Sequence, residues 1–305
     1  MKNRCAFTIA ALIGFPVFAS NCGWCRSGAK STNSHPSCGG KKIAKPGGGY
    51  WTCTFDQEFN GDKLDASQWT TQLTSNSSYY TGPQGTRACY VDSLNNVSVS
   101  GGHLSLTARK ESAPFTCSDP DGNFTTQYTA GMVSTVHNFN QIYGRFEFRA
   151  KLPDTALKGV QETLWLWPVA QTYGEFPNSG EIDVAEFYSQ FATLDIPYIH
   201  YVYEPTTVDK AKNVNIVTAS NCTIDYKKFN VYTAVWEPGT ITLMYNGKTC
   251  LVDNYVPSKI ASPAPFDKPF FIVLTQALGI QTNAFDPATT PLPVTFEVDY
   301  VRAWK

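Results

Sequence analysis

Short runs of alternating apolar and polar residues recur along the chain from about residue 50 to its end. In residues 101–109 (GGHLSLTAR), Leu104, Leu106 and Ala108 alternate with polar neighbours, and residues 144–152 (GRFEFRAKL) alternate in the same way. A period of two places the apolar side chains on one face of a strand, and no segment carries a long apolar stripe of period 3.6. The pattern therefore predicts β-strands that each bury one face.

Turns rich in glycine and proline separate these runs. Residues 237–250 (EPGTITLMYNGKTC) carry one turn at Pro238-Gly239 and a second at Asn246-Gly247, with a strand between them. Residues 294–304 (VTFEVDYVRAW) add a last strand. Strands that recur at short spacing between such turns are typical of a sandwich. We therefore predict an all-β sandwich of antiparallel sheets.

The composition of the chain bears on which kinds of molecule it binds. The chain has 305 residues, a net charge of −1, 16% charged residues and 14% aromatic residues. This length suits one large all-β domain. The charge balance gives no reason to expect nucleic acid or an anionic membrane as a partner. The aromatic content exceeds what a core of this size requires, so some rings are available for binding at the surface.

The N-terminal segment has the layout of a secretory signal. Lys2 and Arg4 precede an apolar run at residues 6–18, and Val17 and Ala19 suit cleavage after residue 19. The run is too short to span a bilayer, so we expect a secreted protein without a membrane anchor. Residues 20–49 are rich in Ser, Gly, Lys and Cys and predict a linker or a small cystine-pinned tail. Residues 50–305 then form the folded domain.

The cysteines fit a secreted chain. There are nine, and removal of Cys5 with the signal leaves an even number, which favours disulfides. We favour two pairs, Cys89 with Cys117 and Cys222 with Cys250, because each closes a loop around one or two predicted strands. The pairing of four others stays open: Cys22, Cys25, Cys38 and Cys53.

One strand carries three acids. In residues 179–187 (SGEIDVAEF), Glu181 and Asp183 share a face of a regular strand, and Glu186 falls on the other. A solvated strand face is one interpretation, but like charges two apart repel each other. A calcium site is a second, but it would favour a loop with Asn, Asp and Gly ligands. The third is a carboxylate pair for sugar chemistry, in which one acid is protonated and another is ionised.

The third interpretation requires Glu186 to return to the face of Glu181. A β-bulge at Val184-Ala185 would restore that parity. Five residues span about 16 Å along a straight strand, whereas a retaining carboxyl pair lies about 5 Å apart, so the sheet must also bend. Asp183 would then orient Glu181. Coupled acids separate one another's pKa values, which helps Glu186 to stay protonated.

The sequence EIDVAE resembles the bulged ExDxxE signature of glycoside hydrolase family 16, which is typical of laminarinases (endo-β-1,3-glucanases). The resemblance also covers six further segments, at residues 56–69, 95–111, 128–153, 163–168, 233–247 and 298–304. It extends over about residues 50–305. It implies a β-jelly-roll sandwich with a long cleft, and endo-hydrolysis of a β-glucan with retention of configuration.

The resemblance also implies residue roles. Glu181 matches the nucleophile, Glu186 the general acid/base and Asp183 the assisting acid. No cofactor is expected for catalysis. Many members of the family hold a structural calcium far from the cleft, and three residues occupy roughly matching positions: Glu58, Gly102 and Asp299. We expect a monomer whose partner is a β-glucan polysaccharide.

Four residues are candidates for contact with the sugar. Trp165 and Trp167 alternate onto one face and could form a binding floor, although core packing is the usual fate of a strand tryptophan. His200 follows the acid strand and is expected either beside Glu181 or as an ordinary strand histidine. Gln276 is a candidate polar contact.

One stretch departs from the family pattern. Laminarinases often carry a Gly-Gly pair followed by Asn and Trp near the C-terminal strands, whereas residues 277–287 (ALGIQTNAFDP) contain only Gly279 and no Trp. The linkage therefore stays open. The sequence predicts a secreted endo-β-1,3-glucanase or an enzyme for mixed β-1,3/1,4-glucan. The alternatives are a family member acting on another polysaccharide such as a galactan, a non-hydrolytic lectin-like glucan-binding protein, and an adhesion module.

Overall fold

The computed structural model describes residues 37–202, 216–258 and 260–305. The predicted secretory signal at residues 1–19 lies outside the described residues, as do Cys22 and Cys25, so these predictions stay untested. Within the described ranges, no helix is long and apolar enough to cross a membrane.

Strands make up nearly all of the regular structure in the described ranges. In chain order they are β1 (Cys53–Gln57), β2 (Thr70–Thr71), β3 (Ala88–Tyr90), β4 (Val97–Ser100), β5 (His103–Cys117), β6 (Phe124–Ala130), β7 (Met132–Ser134), β8 (Gly144–Lys151), β9 (Val160–Pro168), β10 (Glu181–Tyr188), β11 (Ile196–His200), β12 (Ile216–Thr218), β13 (Asn230–Glu237), β14 (Thr240–Tyr245), β15 (Lys248–Asp253), β16 (Phe270–Leu278) and β17 (Val294–Trp304). The helices are short: α1 (Thr74–Ser77) and 3-10 turns at Cys38–Gly40, Ser189–Phe191 and Gln281–Asn283. The all-β prediction is confirmed.

The described strands form two sheets in a β-jelly roll. The larger, ten-stranded sheet has the order β15-β14-β13-β8-β17-β5-β6-β3, with β1 added on β17 and β4 on β5. The smaller, seven-stranded sheet has the order β12-β11-β10-β9-β16-β7-β2. Neighbouring strands are antiparallel except β3 and β6, which are parallel. The order places β10 inside the smaller sheet, between β9 and β11.

The main core lies between the two sheets. Strand β8 of the larger sheet alternates as the sequence predicted, with Phe146, Phe148 and Ala150 fully buried. They share one apolar cluster with side chains of the smaller sheet, including Ile182 and Phe187 of β10. Burial of aliphatic and aromatic side chains from both sheets supplies the main stabilisation of such a sandwich. The outer face of the smaller sheet is not part of this core.

The predicted turn at Asn246-Gly247 joins β14 to β15. Both residues adopt positive φ angles, 50° for Asn246 and 78° for Gly247. Two consecutive positive φ angles are the requirement of a tight type I′ hairpin turn, which the Asn-Gly sequence favours. The local sequence and the hairpin register therefore agree at this position.

Disulfides connect distant segments of the described chain. The predicted pairs Cys89–Cys117 and Cys222–Cys250 are confirmed. A third bond joins Cys38 to Cys53, a pairing that the sequence left open. Cys38 is buried beside β1, and its backbone N–H donates to the Asp56 carboxylate at 2.7 Å. The end of the Cys-rich segment is therefore attached to the sandwich, whereas the division of domains at residue 50 stays a prediction.

Candidate active site

The acid-bearing strand β10 contains the predicted bulge. Its register with β9 shifts between Asp183 and Ala185, so that Asp183 lies opposite Trp165 and Glu186 opposite Thr163. The register with β11 shifts at the same place. Val184 and Ala185 are both buried in the core between the sheets. Two consecutive inward side chains thus return Glu186 to the outer face, and the predicted bulge is confirmed.

A cleft of about 120 Å³ lies on this outer face. Its lining residues are Tyr79, Gln161, Thr163, Trp165, Trp167, Phe176, Glu181, Asp183 and Glu186. The structure therefore brings together the three acids that the sequence analysis selected. It surrounds them with aromatic rings and with two neutral polar side chains.

A tyrosine of the opposite sheet supports the bulge from below. The Tyr245 hydroxyl, on β14, donates a buried hydrogen bond of 2.9 Å to the carbonyl oxygen of Val184. A bulge takes backbone groups out of the regular ladder, and a buried carbonyl without a donor is costly. Tyr245 meets that need, so the interior of the sandwich helps to fix the shape of the site.

Glu186 is held in an environment that keeps it protonated. Burial raises its pKa well above the usual range, and the negative charge of Asp183 raises it further. Hydrogen bonds from Tyr188 and Gln161 oppose this rise because they stabilise the ionised form. The balance suits a group that must carry a proton near neutral pH and then release it.

Asp183 connects the acids to His200. Its side chain is 1% exposed, and His200 Nε2 lies 3.1 Å from Asp183 Oδ2. Burial raises the pKa of Asp183, and hydrogen bonds with His200 and Glu181 act in the opposite direction. His200 pairs directly with Glu181 across β10 and β11. It therefore lies beside the acids, one of the two places that the sequence analysis allowed, while its contact with substrate stays a prediction.

The two tryptophans of β9 form part of the cleft wall. Trp165 and Trp167 are each 6% exposed and meet edge to face, with ring centroids 5.7 Å apart. The indole N–H of Trp165 donates to the Thr275 hydroxyl at 2.9 Å, which fixes that ring. Phe176 stacks on Trp167 with centroids 6.0 Å apart. Both tryptophans line the cleft, but their binding role stays a prediction.

Four lining residues were missed by the sequence analysis. Gln161 and Thr163 have the same parity along β9 as the two tryptophans, so alternation could have identified them. Tyr79 and Phe176 lie on loops outside the strands. Strand periodicity gives no signal for loop positions, so those two rings required the tertiary structure.

Gln276 is not in the cleft, and its prediction as a polar contact is wrong. Its side chain is fully buried, and its amide donates to the Glu162 carboxylate on the inner side of β9. Its neighbours Ile272 and Leu274, at the same parity of β16, belong to the core between the sheets. Thr275 occupies the outward position instead, beneath Trp165. A shift of one residue along a strand moves a side chain from one face of the sheet to the other, which is the difference between Gln276 and Thr275.

Two of the three residues suggested for structural calcium have carboxylates that are paired with arginine. Glu58 accepts two hydrogen bonds from the Arg302 guanidinium, at 2.6 and 2.8 Å. Asp299 is paired with Arg149. Ca²⁺ needs several oxygen ligands that are free to converge on it. Both carboxylates are already neutralised by arginine, so calcium at Glu58, Gly102 and Asp299 stays an untested prediction.

Comparison with known proteins gives a consistent family relationship. The family described as beta-porphyranase A-D, GH16 domain, matches residues 53–305. A glucan endo-1,3-beta-glucosidase A1 of Niallia circulans is 32% identical over 82% of this chain. A keratan-sulfate endo-1,4-beta-galactosidase of Sphingobacterium multivorum is 30% identical over 58% of this chain. The chain spans only 37% and 40% of the lengths of these two relatives.

The fold likeness extends to solved structures. The laminarinase from Rhodothermus marinus superposes with a TM-score of 0.68 at 25% identity, over 84% of this chain and 97% of that chain.

Proposed function

This chain belongs to glycoside hydrolase family 16, and on that premise we propose that it is a secreted endo-glycosidase that cleaves a neutral β-1,3-glucan or a mixed β-1,3/1,4-glucan. The observation that carries the proposal is the bulge in β10, which turns Glu186 to the face of Glu181 and Asp183. A sandwich built only for adhesion or structure has no need to interrupt a buried strand for this purpose.

The proposed reaction is a double displacement with retention of configuration. In the first step the Glu181 carboxylate bonds to the anomeric carbon, the glycosidic C–O bond breaks, and Glu186 gives its proton to the departing oxygen. In the second step Glu186 takes a proton from water. The water oxygen then bonds to the anomeric carbon and the bond to Glu181 breaks. The raised pKa of Glu186 supports its assignment as the acid.

Asp183 acts in this scheme through Glu181. It hydrogen-bonds to Glu181 and is itself held by His200. A carboxylate nucleophile gains from a fixed orientation, since a small misplacement of reacting atoms lowers the rate strongly. Asp183 and His200 therefore keep Glu181 aimed while the sugar binds and leaves.

The chemistry of the lining supports a neutral sugar chain. Tyr79, Trp165, Trp167 and Phe176 offer ring faces and edges, which suit the CH-rich faces of a β-linked sugar. Within the described ranges, the titratable lining residues other than Tyr79 are the three acids. A chain that carries sulfate groups would place negative charges near these carboxylates, and such pairs repel.

A galactan is the second candidate substrate. The matching family is described as beta-porphyranase, and one relative is a keratan-sulfate endo-1,4-beta-galactosidase. Both descriptions point away from a glucan. The acidic lining of the cleft is the reason that we place the neutral glucan first.

A substrate panel separates the candidates. Purified protein is incubated with laminarin, lichenan, agarose and keratan sulfate, and new reducing ends are measured. We expect cleavage of laminarin or lichenan with release of the retained anomer, read by proton NMR at early times. Cleavage of agarose or keratan sulfate alone would select the galactan candidate, and binding of laminarin without cleavage would select a lectin-like protein.

Two variants accompany the panel. Glu181→Gln should lose activity, because an amide cannot form the glycosyl-enzyme. Glu147→Gln is the matched control, since Glu147 lies on β8 of the other sheet and is paired with Arg145. A Glu181→Gln variant as fast as the wild type would refute the assignment of the nucleophile. The expected secretion is checked separately by N-terminal sequencing of protein from culture medium, which should begin at residue 20.

A further inference from the structure

Tyr188 contacts the carboxyl group of Glu186. Alternation resumes after the bulge, so Phe187 is buried in the core and Tyr188 shares the outer face with Glu186. The Tyr188 hydroxyl donates a hydrogen bond to Glu186 Oε2. Across the sheet, Tyr188 pairs with Gln161, whose amide lies 3.4 Å from Glu186 Oε1. Each oxygen of Glu186 thus has its own neighbour.

A third ring continues this arrangement onto β11. Tyr198 lies directly opposite Asp183 in the register, and its hydroxyl hydrogen-bonds that of Tyr188. The Tyr198 ring also stacks on His200, with centroids 5.8 Å apart. Since His200 contacts Asp183, the chain of contacts returns to the acids.

We propose that Tyr188 is a positioning residue: it holds Glu186 Oε2, so that Oε1, beside the Gln161 amide, carries the proton toward the glycosidic oxygen. A glutamate side chain has three rotatable bonds, and a proton donor works only if its carboxyl group is fixed relative to the leaving oxygen. The inference rests on the proposed function. It adds the reason why the acid is aimed as well as protonated.

The same hydrogen bond acts on the charge that develops during the reaction. When Glu186 gives up its proton, the carboxylate gains negative charge, and a donated hydrogen bond from Tyr188 stabilises it. Burial raises the pKa of Tyr188, so it stays a phenol and a donor throughout the working range of pH.

Several charged or titratable groups act on the pKa of Glu186. The aspartates raise it, and Tyr188 has the opposite effect. Asp183 and the buried Asp195 raise the pKa of Glu186, whereas Tyr188 and Gln161 lower it. Among the described residues, the outer face also carries Glu181, Tyr198 and His200, with Tyr79 in the cleft wall. Removal of the Tyr188 hydroxyl should therefore raise the pKa of Glu186.

The test compares Tyr188→Phe with the wild type on two substrates. On laminarin, whose leaving group needs a proton, we expect kcat/KM to fall about 10- to 100-fold, as for loss of one hydrogen bond to a charged group. On an aryl β-laminaribioside with a nitrophenol leaving group, which departs without a proton, the rate of glycosyl-enzyme formation should change by less than about twofold. The basic limb of the pH profile on laminarin should move to higher pH.

A further variant serves as the comparison. Tyr300→Phe removes a hydroxyl from the opposite sheet, where it bonds Glu147 at 3.0 Å, and should leave both substrates and the pH profile unchanged.

The outcomes are distinguishable. An active wild type with an unshifted limb in Tyr188→Phe, or with equal losses on both substrates, would overturn the inference and leave the proposed function standing. A wild type that cleaves none of the polysaccharides would overturn the proposed function and the inference with it.

Discussion

Strands β8 and β10 lie in opposite sheets, have the same length and carry similar numbers of charged residues, yet their patterns differ. Strand β8 alternates without interruption between buried and partly exposed residues. Strand β10 has four buried residues in succession, from Ile182 to Ala185, before alternation resumes. The outward charges of β8 are neutralised by partners, as in the pair Arg145–Glu147. On β10, Asp183 lies instead 3.1 Å from His200 Nε2.

The difference separates a strand that serves only the fold from a strand that also carries the candidate site. In β8, pattern and structure agree at every position, because each side chain contributes only to the core or to a neutral surface. In β10 the register is broken to place like charges together, which costs stability and is retained with support from below by Tyr245. A departure from alternation that the structure supports in this way marks a functional site.

The largest expected effect comes from replacing one outward glutamate on each strand with glutamine. Glu186→Gln should reduce cleavage of laminarin by about 10²- to 10⁴-fold, because the leaving oxygen loses its proton donor. Glu147→Gln on β8 should leave kcat within about twofold of the wild type. Activity assays on both variants check this. Added azide should restore turnover of an aryl glycoside in Glu186→Gln, since azide attacks the glycosyl-enzyme without a general base; no restoration would argue against this role of Glu186.

The inward faces of the two strands should behave alike. Phe148 on β8 and Phe187 on β10 are both fully buried in the same cluster. Truncation of either to alanine should lower the free energy of unfolding by about 3–5 kcal/mol through lost burial and the cavity left behind. Urea unfolding of the two variants measures this. A much smaller loss for Phe187→Ala would mean that the bulged strand is less well packed than its buried residues indicate.

Each of the two strands accepts a hydrogen bond from a tyrosine hydroxyl, and the two bonds can be compared. Tyr245 donates to the Val184 carbonyl of β10, and Tyr300 donates to Glu147 of β8. Tyr245→Phe leaves a buried carbonyl without a donor and should cost about 1–3 kcal/mol, with a fall in kcat because the bulge loosens. Tyr300→Phe should cost about 0.5–1.5 kcal/mol with no change in kcat. Equal effects on kcat would contradict a specific role for Tyr245 in shaping the site.

The comparison also explains how much could be predicted from the sequence. The regular strands were readable because each depends on local alternation, and β17 has the bounds Val294–Trp304 of the predicted last strand. The bulge was predicted from the parity of its acids. Gln276 was misplaced because a core strand that is apolar on both faces gives no sign of which face is inward. Phe176, in a loop, and the buried Asp195 depend on long-range packing that no local pattern encodes.

The strands that flank β10 differ from β8 in one more respect, because they bring two acids into the interior, Glu162 on β9 and Asp195 directly before β11. Asp195 is 1% exposed, and burial raises its pKa to about 8, with hydrogen bonds from Tyr232 and the Ile196 backbone opposing the rise. Glu162, also buried, has its pKa raised well above the usual range for the same reason. The core side of β8, in contrast, presents Phe146, Phe148 and Ala150.

Measured per pH unit, the smallest expected effect is the pH dependence that these acids give to stability. In the unfolded chain Asp195 should titrate near pH 4, whereas in the folded protein it keeps its proton to about pH 8. The folded state therefore binds more protons between these values. The stabilisation is complete below the unfolded pKa and is lost as pH rises through the folded pKa, at no more than about 1.4 kcal/mol per pH unit for one group.

Asp195→Asn removes this titration while it keeps the shape of the side chain, so the decline of stability between pH 5 and 8 should become less steep. The remaining slope would come from the other acids whose pKa burial raises: Glu162, Asp183 and Glu186. The exposed Asp225, whose pKa is lowered by Lys228, provides the matched control. It is ionised in both states throughout this range, so Asp225→Asn should leave the slope unchanged. Thermal or urea unfolding at several pH values measures this slope. An unchanged slope in Asp195→Asn would mean that Asp195 is ionised in the folded protein over this pH range.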